Sequence, residues 1–150
     1  MVQMETVKNF LSCSKIAVVG VSRTGKKYGN KAFNELRKKG YNVFPVNPNV
    51  NEIEGVKCFG SLKQLPVQVD GAVLAIPPAE SMKVLKDAVS AGIKNIWLQQ
   101  GSESMEAINY CNNNGLKVIY GQCILMFAEP AEFIHRAHRW INGFTGKLPE

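Results

Sequence analysis

Residues 15–30 read KIAVVGVSRTGKKYGN, and the passage from apolar to glycine-rich to cationic decides the fold. The run 15–21 is rich in β-branched residues and has no polar position after Lys15, so it reads as a parallel strand buried on both faces. Glycines 20, 25 and 29 then make a loop, after which Ala32, Phe33, Leu36 and Arg37 follow helical spacing up to Gly40. A strand, a glycine loop and a helix open a βαβ unit.

The rest of the chain repeats that alternation. YNVFPVNP (41–48) reads as a second strand ended by Pro48, SLKQLP (61–66) as a short helical turn, and GAVLAI (71–76) as a third strand. Pro78 suits the first turn of a helix whose apolar face is Val84, Leu85, Ala88 and Val89 and whose stop is Gly92. KNIWLQ (94–99) is strand four; a helix begins at Ser102 and ends at Gly115; LKVIYG (116–121) is strand five. Further helices are expected over 4–11 and 131–142. The expectation is one α/β domain over 1–150, with 1–12 as an N-terminal helix and 128–150 as a C-terminal helix and tail. Its core is a Rossmann-like, doubly wound parallel sheet of five strands in the order 3-2-1-4-5, with helices on both faces. Ligands would enter at the carboxyl ends of strands one and four.

Composition narrows the class. Hydrophobic residues make up 45% and charged residues 20% of the 150 positions, ordinary globular values. No apolar run is long enough to span a bilayer, and the first residues lack the charge-then-apolar pattern of a signal peptide, so a cytoplasmic protein is expected. Cysteines 13, 58, 111 and 123 are scattered, without metal-ligand or disulfide-framework spacing. The net charge of +6 is local: residues 15–40 hold eight Lys or Arg against Glu35 alone. Arg37, Lys38 and Lys39 suit the last turn of a helix. Arg23, Lys26 and Lys27 are left over, and they point to an anionic ligand at the loop.

Two phosphate motifs are nearly met there. Gly20, Gly25 and Lys26 have P-loop spacing, but Lys27 stands where a Ser or Thr would hold magnesium, and strand three ends in AIPP without a carboxylate. Gly20, Ser22 and Gly25 give a dinucleotide fingerprint with its middle glycine replaced. The carboxylate that NAD needs after strand two is missing: PVNPN stands there, and no Asp or Glu occurs from 36 to 51. NADP stays open, as an enzyme or a subunit of one. Nucleic acid fits poorly, because no stacking aromatics accompany the cations. His135 and His138 lie three apart, each followed by an arginine (Arg136 and Arg139), and read as a basic helix face, not a metal site; GFTGK (143–147) reads as a tail.

Six stretches, taken in order, resemble one family. AVVGVSRTGKKYGN, GYNVFPVNP, IEGVKCFGSL, AIPPAES, AGIKNIWLQQG and GLKVIYGQC, from about Ser12 to Phe127, are similar to the CoA-binding domain that begins the succinyl-CoA synthetase α subunit. They are more similar still to stand-alone bacterial CoA-binding proteins. The resemblance implies a CoA or short acyl-CoA ligand. Gly20, Ser22, Arg23, Lys26, Lys27 and Gly29 would cradle its phosphates, and Asn47 and Pro48 would lie beside the nucleotide or its 3′-phosphate. Ile76, Pro77 and Pro78 would pack on the adenine or the pantetheine arm. Gln99 and Gly101 would line the crevice, with Cys123 just beyond strand five. The synthetase's phosphorylated histidine belongs to a second domain, so the resemblance implies the binding domain alone and does not imply ligase activity. A homodimer or a partner subunit is a further expectation; a nucleic-acid or membrane partner is not expected.

Overall fold

Alternate residues of a strand face opposite ways, and here both faces are covered. Ile16 and Val18 enter one core with Phe10, Phe33, Leu36, Trp97 and Ile119; Ala17 and Val19 enter a second with Leu74, Leu85, Ile96 and Leu98. The computed structural model describes residues 4–126. The strands are β1 (Lys15–Val19), β2 (Asn42–Val46), β3 (Glu52–Ile53), β4 (Val56–Lys57), β5 (Gly71–Leu74), β6 (Asn95–Leu98) and β7 (Lys117–Tyr120). The helices are α1 (Met4–Leu11), α2 (Tyr28–Lys38), α3 (Pro78–Ser90) and α4 (Met105–Asn113), with 3-10 turns at Leu62–Gln64 and Ile124–Met126. Helices α1 and α2 supply one core, α3 and α4 the other. Phe10 of α1 meets the buried Trp97 ring edge-on at 5.4 Å between centroids, a favoured aromatic geometry. Among the described residues no helix is long and apolar enough to cross a membrane.

The five-stranded parallel sheet and its α/β class are as expected, with strand order β2-β1-β5-β6-β7. Counting apolar runs, that is 2-1-3-4-5 and not 3-2-1-4-5. The third apolar strand, Gly71–Leu74, pairs with β1 on the side away from β2. Burial explains the difference. All four β5 residues are buried, whereas β2 begins exposed and keeps Phe44 half-buried. A strand without a polar position belongs at the centre of a sheet. The place outside β2 goes to a short, irregular stretch: β3 and β4 form a small antiparallel hairpin, and beyond it Phe59 makes a single parallel bridge to Val46. With that bridge taken as a strand, the doubly wound order is restored. The switch point therefore lies between the carboxyl ends of β1 and β5.

Smaller differences concern the ends of elements. Ser102 does not start a helix; α4 begins at Met105, where Ser104 Oγ accepts from the Ala107 N–H at 3.0 Å as an N-cap. The helix expected over 131–142, His135, His138 and the 143–147 stretch lie outside the described residues.

Candidate functional site

The loop after β1 is shaped by close backbone approach. A Cβ on Gly20 would stand 2.2 Å from the Ala75 carbonyl oxygen, and one on Gly29 would stand 2.4 Å from the Gly20 carbonyl oxygen. Only glycine lets the end of β1, the end of β5 and the start of α2 converge this tightly. Inside that junction Asn30, fully buried, holds both backbone groups of Ser22. Its Oδ1 accepts from the Ser22 N–H at 2.8 Å, and its Nδ2 donates to the Ser22 carbonyl at 3.0 Å. Asn47 braces the loop from β2: its Nδ2 donates to the Val21 carbonyl at 2.7 Å, while its Oδ1 accepts from the Asn49 N–H at 2.8 Å. Asn47 thus positions the loop.

So held, the loop offers charge and donors outward. Lys27 is the N-cap of α2 but caps nothing with its side chain, and no acidic residue lies in the first turn. The first N–H groups of a helix carry partial positive charge, so this end favours an anion. Arg23, Lys26 and Lys27 are exposed, and among the described residues none of them forms an ion pair. The Ser22 and Thr24 hydroxyls share a hydrogen bond of 2.9 Å beside them.

Next to the loop lies a crevice of about 350 Å³. Its walls come from the ends of three further strands: Ile76 and Pro77 after β5, Gln99, Gly101 and Ser102 after β6, and Cys123 after β7. Tyr28, the first residue of α2, also lines it, so one residue joins loop and crevice. Five expected site residues therefore meet here: Ile76, Pro77, Gln99, Gly101 and Cys123. Pro78 sits next to them as the first residue of α3. Pro48 does not; it lines a separate cleft of about 520 Å³ with Lys57, Phe59 and Gln64, after β2. A third hollow, about 430 Å³, lies between Leu62, Val69 and Ile93, ahead of β5 and β6. It opens at the amino ends of those strands, away from where open α/β sheets take ligands.

The polar groups of the crevice are tightly placed. Gln99 is 4% exposed, and its Oε1 accepts from the Ile124 N–H at 3.2 Å. Ser102 is 2% exposed; its Oγ accepts from the Ile76 N–H at 3.0 Å, and its carbonyl accepts from Ser81 Oγ at 2.9 Å. The Tyr28 hydroxyl and Cys123 Sγ are 2.6 Å apart. Burial, then the Cys123 contact, hold the Tyr28 phenol protonated well above its usual range. The Trp97 indole N–H donates to the Gln122 carbonyl at 3.0 Å, fixing the turn that carries Cys123. Among the described residues no group of three or more His, Cys, Asp or Glu could hold a metal.

Sequence reading missed Tyr28, Asn30 and Ser102. Asn30 did leave a signal: it lies three residues before Phe33, on the buried face of α2, where a polar residue needs a partner. Tyr28 and Ser102 left none, since each acquires its role from a neighbouring strand.

The profile of the CoA binding domain matches residues 14–129. The chain belongs to this CoA-binding domain family. It is 29% identical over 126 residues to the α subunit of an ADP-forming acetate–CoA ligase II of Pyrococcus furiosus, covering 77% of this chain and 28% of that one. It is 30% identical over 119 residues to YneT, an uncharacterized protein of Bacillus subtilis, covering 79% of this chain and 88% of that one. A conserved hypothetical protein from Pyrococcus furiosus has the same fold, with a TM-score of 0.71 and 45% identity over 74% of this chain and 96% of that one. The chain spans less than a third of the length of the ligases it matches. These ligases are archaeal, so the family is not confined to bacteria.

Proposed function

We propose that this chain binds CoA or a short acyl-CoA non-covalently at the carboxyl ends of its strands, without complete catalytic machinery of its own. The phosphates lie on the start of α2, against the Ser22 hydroxyl and the charges of Arg23, Lys26 and Lys27. The nucleotide lies toward Asn47 and Pro48. The pantetheine arm runs past Tyr28 into the crevice between Ile76, Pro77 and Gln99. The observation that carries this reading is the continuity at Tyr28. An uncapped, cationic helix start and a mostly apolar crevice that also holds the amides of Gln99 and Gln100 share one residue. A ligand with several phosphates at one end and a slender amide-bearing arm at the other has that same division. Membership of the family supports it. The ligase activity named for the relatives belongs to much longer proteins, and the expected role here is to hold the ligand for a partner or as a sensor.

Thermal-shift titration tests the reading. A ligand that binds the native state raises the melting temperature by mass action. CoA is expected to do so more strongly than dephospho-CoA, NADP or NAD. The double change Lys26→Ala and Lys27→Ala is expected to weaken CoA binding while the unliganded melting temperature holds. Stabilisation by NADP and not by CoA would overturn the reading in favour of an NADP-dependent protein.

A further inference from the structure

Cys123 stands apart from the other three cysteines. Cys13, Cys58 and Cys111 are buried in the two cores, whereas Cys123 is half-buried and lines the crevice. Burial also pushes the Cys13 and Cys111 thiols up to about 11, so they resist ionisation. Next to Cys123 the Tyr28 phenol keeps its proton, so its O–H can donate to the sulfur once the thiol has ionised.

Gln99 has its Oε1 engaged by the Ile124 N–H, which orients the amide; its Nε2 then has no partner among the described residues. The Ser102 hydroxyl accepts from Ile76, and its own hydrogen has no acceptor among the described residues. Buried donors without partners are costly and rare. Two of them in one crevice call for an occupant bearing acceptor oxygens, such as the carbonyls of an amide-containing arm. Cys123 lines the same crevice as these donors, in contact with Tyr28.

We propose that Cys123 is a thiol–disulfide exchange site for CoA disulfide, the amide arm being held by Gln99 and Ser102. The inference rests on the CoA reading above. The Cys123 thiol loses its proton to solvent, and the thiolate attacks one sulfur of CoA disulfide. A protein–CoA disulfide forms, the CoA–CoA disulfide breaks, and the departing CoA thiolate takes up a proton. The protein sulfur is oxidised and one CoA is reduced, so the oxidant is CoA disulfide itself.

Intact mass spectrometry of the reduced full chain with CoA disulfide tests this. The expected product is a single adduct of one CoA less two hydrogens, reversed by dithiothreitol and mapped by peptide digestion to Cys123. Cys123→Ser should abolish it, and Tyr28→Phe should slow it. Glutathione disulfide at the same concentration should react at least about tenfold more slowly, because binding raises the local concentration of the CoA form. No adduct, an adduct on another cysteine, or equal rates for the two disulfides would overturn the proposal. Thermal shift of the parent protein with reduced CoA separates the two readings. If CoA binds and no adduct forms, only the exchange site falls; if CoA does not bind, both fall.

Discussion

Replacing Asn30 by Ala probes the junction on which the site depends. The side chain is fully buried and makes two hydrogen bonds, of 2.8 and 3.0 Å, to the two backbone groups of Ser22. Each bond contributes about 1 kcal/mol net, and truncation also leaves a small void under the loop. Ser22 is half-buried, so water can reach its freed groups and the cost stays below the full desolvation penalty. The expected loss is about 2–3 kcal/mol, which for a chain of this size lowers the melting temperature by roughly 5–10 °C. Urea denaturation gives the free energy and thermal melts the second figure. Asn30→Asp should be no milder, because it keeps the acceptor for the Ser22 N–H but sets an oxygen against the Ser22 carbonyl. The loop is the phosphate end of the proposed site, so CoA affinity should fall with stability. A loss under about 0.5 kcal/mol for Asn30→Ala would refute the idea that this amide holds the loop.

Two glycines of the same loop should respond differently. Gly29→Ala puts a methyl 2.4 Å from the Gly20 carbonyl oxygen, a backbone atom that cannot swing away, and should cost about 1–3 kcal/mol. Gly25 has φ +74° and open space around it, so Gly25→Asn, which tolerates that conformation, should be close to neutral; equal losses in urea melts would contradict the assignment. Asp70 supplies a pH test. Hydrogen bonds from the Lys15 N–H, then, against the opposing effect of burial, from the Ser14 N–H and hydroxyl, hold its carboxyl below the ordinary range. A depressed carboxyl stabilises the fold above the unfolded value near 3.9 and loses that contribution as pH falls through the folded one. Asp70→Asn should therefore flatten the stability profile below about pH 4, and an unchanged acid limb would show the interaction to be inert.

Legibility differed from residue to residue. Strand one, the helix after it and the five apolar runs could be read because burial on both faces leaves an unbroken apolar stretch, and Ile16 to Val19 have no polar position to disguise. The place of Gly71–Leu74 beside β1 could not be read, since five similar runs carry no label for their neighbours. The 52–59 stretch, which fills the outer position with a single bridge, alternates only over two or three residues on either side of Gly55, too briefly to be read as a strand of the main sheet. In the site, the cations and glycines of the first loop were legible as a local motif. The roles of Asn47 and Asn30 were not, because each amide acts on a backbone group of another element.

The sequence by itself determined the class of the protein: alternating apolar runs and amphipathic helices, one cationic glycine loop at the start of a helix, and six stretches in the order of one family. These are properties of neighbours along the chain, where hydrophobic period, turn chemistry and charge act within a few residues. Only the tertiary structure decided that Tyr28, Ile76, Gln99, Ser102 and Cys123 share one crevice. It also decided that two of them keep buried donors without partners among the described residues. The residues that line the crevice come from the ends of three neighbouring parallel strands and from the start of α2. Such a site exists only once the sheet has brought those ends together.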